Sequence, residues 1–148
     1  MRTDVAVTQE RLIPTRPAAV WSVVADPAMQ ERLDGRVRLE SSSGADGEVG
    51  SGYVLAIRVA PLVKMRLTYD VVEADPESRL VAHVTRKGVR YGEQHAELTS
   101  GPDGTLLRWT VVVSVGPVTA RIAEQSVAQQ LTPWLDAVAR EAQAVGPA

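Results

Sequence analysis

Residues 53–71 read YVLAIRVAPLVKMRLTYDV, and this stretch decides the fold. Apolar side chains alternate with other residues on both sides of Pro61, which is the pattern of two β-strands joined by a turn. Residues directly opposite in an antiparallel pair share a face of the sheet. The register that keeps the apolar residues together has these pairs: Tyr53 with Tyr69, Leu55 with Leu67, Ile57 with Met65 and Val59 with Val63.

The same alternation extends in both directions and predicts seven strands. They cover residues 3–13, 36–42, 50–59, 63–74, 79–86, 91–100 and 105–115. Alignment of the apolar faces of the later hairpins places Val71 opposite Leu80, Leu80 opposite Leu98 and Leu98 opposite Leu107. A slip of one residue would reverse the faces, so this agreement favours an antiparallel sheet with one apolar face.

Helical periodicity is confined to three segments. Pro17 suits the first turn of a short helix over residues 17–25, and Asp26-Pro27 is a start signal for a second helix over about 27–33. A long helix over about 119–144 carries an apolar stripe that must pack on the apolar face of the sheet. Pro133 lies inside this helix and is expected to kink it near residues 129–132. The element order predicts an α+β fold.

The composition excludes several classes of function. The chain has 148 residues, 45% of them hydrophobic and 23% charged, which suits one globular domain over residues 1–148. It has no cysteine, which excludes disulfides and thiolate metal sites. The net charge of −2 gives no support for nucleic-acid binding. We see no signal peptide and no apolar run of the ~20 residues that cross a bilayer, so we expect a cytoplasmic protein without an integral membrane segment.

Several motifs resemble one known superfamily. They are Pro17-Ala18-Ala19-Val20-Trp21 with Asp26-Pro27, the Glu73-Ala74-Asp75-Pro76 turn, Gly104-Thr105-Leu106-Leu107-Arg108-Trp109 and the C-terminal helix. Together they resemble the START-related, birch-pollen-allergen-like superfamily (SRPBCC), which includes lipid carriers and polyketide cyclase/dehydrase-like proteins. The segments Val59-Ala60-Pro61-Leu62-Val63 and Val115-Gly116-Pro117 are similar to its carbon monoxide dehydrogenase-associated branch. The resemblance implies a helix-grip fold: a curved, seven-stranded antiparallel sheet wraps the C-terminal helix around a hydrophobic cavity.

The inward face of that sheet supplies the candidate ligand contacts. Small residues at Ala82, Gly92 and Ala96, facing an alanine-rich helix, leave space unless the two walls approach closely. A few polar tips on an apolar wall are typical of a small-molecule pocket. Buried tyrosine and tryptophan need hydrogen-bond partners, which a ligand can supply. The alternative is a set of ordinary core residues bonded to protein or water. The candidate ligand-binding residues are Tyr53, Met65, Tyr69, Arg86, Gln94, Trp109, Val127 and Leu131.

Arg86 is expected on the inward face at a strand end, opposite Met65 or Gly92. There it would meet a ligand carboxylate or enolate, but we favour the alternative of a snorkelling arginine at the edge of the sheet.

The two histidines belong to the other, solvated face. The register places His83 opposite His95, with Glu93 on the same face, and it pairs Glu97 with Arg108. We therefore expect no metal site and no organic cofactor. An outward histidine also cannot act as the base for an inward pocket.

Three functions stay open. The first is the binding of a hydrophobic or amphipathic small molecule, lipid or polyketide-like, between the sheet and the C-terminal helix. The second is a polyketide cyclase or aromatase, which predicts that Arg86 and a tyrosine converge in a cavity. The third is an accessory or assembly factor of the carbon monoxide dehydrogenase-associated type, which acts through its surface and predicts a dry, collapsed interior. The pattern identifies no catalytic residue and no oligomeric state.

Overall fold

The computed structural model describes residues 2–145, and every predicted helix and strand is present. Their bounds agree within two residues of the expected ones, except that the second helix begins three residues late, at Gln30. Short 3₁₀ turns at Pro27–Met29 and Pro117–Thr119 precede the second and third helices. The elements in chain order are β1 (Thr3–Ile13), α1 (Pro17–Val24), α2 (Gln30–Leu33), β2 (Val37–Ser43), β3 (Gly52–Ala60), β4 (Val63–Asp75), β5 (Arg79–Arg86), β6 (Val89–Gly101), β7 (Gly104–Val115) and α3 (Ala120–Val145).

The strands form one curved antiparallel sheet in the order β1-β7-β6-β5-β4-β3-β2. The long helix α3 packs along β1, where the Gln9 amide donates a hydrogen bond to the Ala128 carbonyl at 3.1 Å. Further along, Arg11 forms an ion pair with Asp136 at 2.5 Å. The helix continues through Pro133. This arrangement confirms the predicted α+β helix-grip fold.

Local signals place the short helices as expected. Pro17 occupies the first turn of α1, where its missing N–H costs no hydrogen bond. The Asp26 carboxylate accepts a hydrogen bond from the Ala28 N–H at 3.0 Å and so caps the turn that leads into α2.

The strand registers are right in some hairpins and wrong in others. Tyr53 lies opposite Tyr69 as predicted, and the β6–β7 hairpin also has its predicted register. Val71, however, lies opposite Ala82, and Leu80 lies opposite Ala96, so two hairpins are shifted by two residues from the prediction. A bulge near Arg58 likewise pairs Val63 with Ala60 instead of Val59.

β-bulges account for part of these differences. One bulge falls between Val71 and Glu73, and another lies near Tyr91 in β6. Each bulge inserts a residue that simple alternation does not foresee. A shift of two residues keeps every side chain on its predicted face, so the apolar face is largely the expected one.

Two apolar clusters cover this face. The closed core joins α1, β1, β7 and the second half of α3, and its most deeply buried side chains are Ile13, Val20, Leu107, Leu135 and Val138. The sheet cluster lies on β2 to β5 and consists of Val37, Leu55, Leu67, Tyr69 and Val84. The first half of α3 does not pack on the sheet cluster, so a space remains between them.

Candidate ligand-binding site

A cavity of about 420 Å³ separates the sheet cluster from the first half of α3. Strands β3 to β7 form one wall, α3 forms the other, and residues around α2 close one edge. The volume lies within the range of pockets that hold small organic molecules, about 300–1,000 Å³.

Small side chains keep the space open. Ala123 and Ser126 face it from α3, and Gly92 faces it from β6. None of the residues of α3 from Ala120 to Gln130 is buried. The ring of Trp134 on α3 contacts the ring of Trp109 on β7, with centroids 4.4 Å apart, and both rings line the cavity.

Most of the sequence-predicted site residues meet in this wall. Their side chains come from three strands and one helix, so only the folded sheet brings them together. The predicted residues that line the cavity are Met65, Tyr69, Gln94, Trp109, Val127 and Leu131.

Tyr53 lies behind the wall. Its ring stacks on that of Tyr69, with centroids 4.8 Å apart and planes 7° from parallel. It borders a second cavity of about 20 Å³, which shares Gln94 and Trp109 with the larger one. That volume holds about one water molecule, so Tyr53 supports Tyr69 from outside the larger cavity.

Arg86 lies away from the cavity. It is exposed in the β5–β6 turn, pairs with Val89 across that turn, and is not part of the cavity wall. The expected neighbour Gly92 pairs with Val84 instead. This position corrects the expectation of an inward Arg86 and agrees with the favoured alternative of a solvated arginine.

Tyr91 is a wall residue that simple alternation misses. The β5–β6 ladder passes from the Val84–Gly92 pair to the Thr85–Arg90 pair, which leaves Tyr91 as the extra residue of a bulge. Both Tyr91 and Gly92 consequently border the cavity. The signal that could have found it is Gly92 itself, because a glycine inside a strand often marks a bulge.

Two polar groups of the wall have no protein partner in the described part of the chain. Among residues 2–145, neither the Tyr69 hydroxyl nor the Gln94 amide makes a hydrogen bond to another protein group. Burial raises the pKa of Tyr69 above its ordinary value, and the neighbouring Tyr53 and Tyr91 raise it further. The pKa of Tyr53 is also raised by burial. Tyr69 is therefore a neutral hydroxyl that can donate a hydrogen bond into the cavity.

An ion pair borders the cavity beside α2. The Arg36 guanidinium donates to both carboxylate oxygens of Asp34, at 3.1 and 2.8 Å. The hydrogen bond from Arg36 lowers the pKa of Asp34 against the opposite effect of burial. Both residues line the cavity. Sequence reasoning missed them because they follow a short helix and no apolar pattern marks them.

The histidines cluster around one carboxylate. His95 Nε2 lies 3.0 Å and His83 Nε2 3.5 Å from oxygens of Glu93. His83 pairs with Glu93 across the strands and His95 with Val81, so the predicted His83–His95 pair is wrong. Over residues 2–145, no group of three His, Cys, Asp or Glu residues has a geometry that could hold a metal ion.

The carboxylate of Glu97 has a different partner from the expected one. Glu97 lies opposite Arg108 as predicted, but its ion pair is with Arg79 at 3.1 Å. Arg79 also contacts Glu73 at 2.8 Å, so it links two carboxylates at the far end of the sheet.

Comparison with known proteins identifies the family. The model of the family described as "Polyketide cyclase / dehydrase and lipid transport" matches residues 4–143. The chain belongs to this family. The match confirms the resemblance to the SRPBCC superfamily and covers both walls of the cavity. A search of curated proteins gave no match.

Solved structures repeat the fold at low sequence identity. A Staphylococcus aureus protein of unknown function has a TM-score of 0.81 and 10% identity, covering 97% of this chain and 96% of its own. A Nitrosomonas europaea protein has a TM-score of 0.75 and 14% identity, covering 93% of each chain. A point mutant of norcoclaurine synthase from Thalictrum, in complex with a transition-state analogue, has a TM-score of 0.71 and 17% identity, covering 96% of each chain. These similarities establish a shared fold.

Proposed function

We propose that this member of the polyketide cyclase/dehydrase and lipid transport family binds a hydrophobic or amphipathic small molecule between the sheet and the first half of α3. The description of the family supports a lipid or polyketide-like ligand. One observation carries the proposal: Tyr69 and Gln94 present polar groups without protein partners to a mostly apolar cavity of about 420 Å³.

The side chains of the wall indicate the chemical class of the ligand. Valine, leucine, methionine and tryptophan side chains favour an apolar body, because each Å² of apolar surface removed from water contributes roughly 25 cal/mol. The Tyr69 hydroxyl donates a hydrogen bond, and the Gln94 amide both donates and accepts. A molecule with an apolar frame and one carbonyl or hydroxyl oxygen satisfies both requirements.

The other two functions have less support. A cyclase with Arg86 as its cationic contact is not favoured, because Arg86 lies outside the wall. An accessory factor that acts only through its surface is not favoured either, because that hypothesis predicts a collapsed interior.

Native mass spectrometry of the protein purified from its own host is the direct test. The spectrum should show the mass of the protein together with that of a bound apolar small molecule.

In vitro, the fluorescent probe anilinonaphthalene sulfonate should bind in the cavity. Ala123→Trp places an indole into the cavity and should weaken probe binding at least about tenfold. The control Gln125→Trp adds the same indole on the exposed side of α3 and should leave affinity unchanged.

The variant Gln94→Leu tests whether Gln94 contacts the ligand. It should leave the fold intact and alter affinity for the co-purified ligand, because it removes a polar contact from the wall. Unchanged binding together with increased stability would identify Gln94 as a core polar group only.

For the Ala123→Trp experiment, equal binding of the probe to wild type and variant would refute the cavity as the binding site.

A further inference from the structure

We propose that the end of the molecule reached by Val59 and Val115 of the cavity wall docks on the surface of an anionic lipid bilayer. This mouth end comprises the β3–β4 turn, the β5–β6 turn and the connection from β7 to α3. The strand pairings place the three segments at the same end of the sheet. The proposal rests on the proposed function, since docking would bring an apolar cargo next to its source or destination.

Exposed apolar side chains project from all three segments. Leu62 is fully exposed at the tip of the β3–β4 turn, and Val118 is 92% exposed before α3. Leu62 has a φ of 64°, a backbone conformation that glycine or asparagine adopts at lower cost, so a leucine there brings no folding advantage. The exposed apolar residues of the mouth end are Val59, Leu62, Val63, Val89, Val118 and Ile122.

Basic side chains surround these apolar tips. They are exposed, and none of them forms an ion pair with another residue in the described range 2–145. Asp4, an acidic residue at this end, is already neutralised by Arg90 at 2.9 Å. The unpaired basic residues are Arg58, Lys64, Arg86, Lys87 and Arg121.

The opposite end of the sheet has the opposite charge. In the loops that join β2 to β3, β4 to β5 and β6 to β7, every charged side chain between the strands is acidic. These groups are Asp46, Glu48, Glu77 and Asp103. The acidic loops at that end thus contrast with the cluster of exposed basic residues at the mouth end. An anionic surface therefore attracts this end and repels the other.

The shape of the mouth end favours a bilayer over a protein partner. The apolar residues stand on three separate turns, which suits insertion of single side chains between lipid headgroups. Lysine and arginine beside them would contact lipid phosphates. Val59 and Val115 lie at this end and line the cavity. The cavity of a docked protein would therefore lie next to the membrane. No helix in the described range is long and apolar enough to span a bilayer.

Co-sedimentation with vesicles tests the proposal. Wild-type protein should bind phosphatidylcholine vesicles that contain about 30 mol% phosphatidylglycerol at least about tenfold more tightly than pure phosphatidylcholine vesicles. The double variant Leu62→Asp/Val118→Asp should lose at least about tenfold of that affinity, and so should Arg86→Glu/Lys87→Glu. All four positions are exposed, so the fold should be unaffected.

Matched controls lie away from the mouth end. Val49→Asp adds a carboxylate at an exposed apolar position in the β2–β3 loop, and Arg140→Glu reverses an exposed charge in the second half of α3. Each control should change vesicle binding less than about twofold. Equal wild-type binding to both kinds of vesicle, or equal losses in variants and controls, would overturn the proposal.

The failure of docking and the failure of the proposed function give different results. If wild-type protein binds anilinonaphthalene sulfonate but neither kind of vesicle, the docking proposal alone is overturned. Wild-type protein that binds anionic vesicles but neither the probe nor a co-purified ligand overturns the proposed function.

Discussion

The two halves of α3 make an instructive comparison, since they belong to one continuous helix and carry one apolar stripe. The half from Leu131 to Val145 packs against α1 and β1, and Leu135, Val138 and Ala142 are almost completely buried there. The half from Ala120 to Gln130 faces the sheet across the cavity and contains no buried residue. An amphipathic stripe thus predicts which side of a helix faces the interior, but not how closely the opposite wall approaches.

The largest expected effect comes from the closed half. Leu135→Ala removes a side chain that is 1% exposed in the closed core. It should lower the free energy of unfolding by about 3 kcal/mol, because it combines lost apolar burial with a new cavity. Urea unfolding followed by circular dichroism measures this change.

The matched change in the open half is Val127→Ala. Val127 is half-buried and already borders empty volume, so the substitution should cost about 1 kcal/mol or less. Equal losses in Leu135→Ala and Val127→Ala would mean that the two halves are packed alike, and the comparison would fail.

A second prediction concerns Gly92 in β6, where the backbone of the neighbouring strand approaches closely. A Cβ added to Gly92 would overlap the Val112 carbonyl oxygen on the neighbouring strand. Gly92→Ala should therefore destabilise the protein by about 2 kcal/mol, because strand backbones must shift. Gly35→Ala is the control, since nothing lies within 4 Å of the corresponding Cβ position. A Gly92→Ala variant as stable as Gly35→Ala in urea would contradict this account of the bulge.

The smallest expected effect depends on pH. A hydrogen bond with His95 lowers the pKa of Glu93, and the charges of His83 and Arg90 act in the same direction against burial. A lowered carboxyl pKa stabilises the folded state above the ordinary value of 4.5, and this stability is lost as pH falls through the folded-state pKa. The contribution should be below about 1 kcal/mol, because the groups are partly exposed.

Unfolding of wild type and Glu93→Gln at several pH values checks this linkage. Wild type should be the more stable protein near neutral pH, and the difference should disappear in acid, where Glu93 is protonated. Glu124→Gln, which removes an exposed carboxylate that has no ion-pair partner in the described range, should have a smaller effect. A difference between wild type and Glu93→Gln that persists in acid would show that packing, and not charge, is responsible.

The sequence predicted the fold in detail because alternation and helix signals are local. Both strands of the β3–β4 hairpin, the proline at the start of α1 and the capping role of Asp26 follow from neighbouring residues. The inward face was also predictable, since registers that differ by two residues expose the same side chains to the interior.

The details of the site depended on non-local features. The bulge at Tyr91 changes the pairing of β5 with β6, so Tyr91 borders the cavity and Arg86 pairs with Val89 instead of its expected neighbours. The size of the cavity depends on the distance between α3 and the sheet. Alanines alone do not determine this distance, since Ala142 is fully buried in the closed core whereas Ala123 borders open space.

The contact between Trp109 and Trp134 gives the protein an intrinsic optical reporter. The two indoles meet where the closed core ends and the cavity begins, and both border the space that a ligand would fill. The chain has only one other tryptophan, Trp21 on α1, which borders neither cavity. Emission from the paired indoles would therefore change with occupancy against a constant background, so binding could be followed on unlabelled protein.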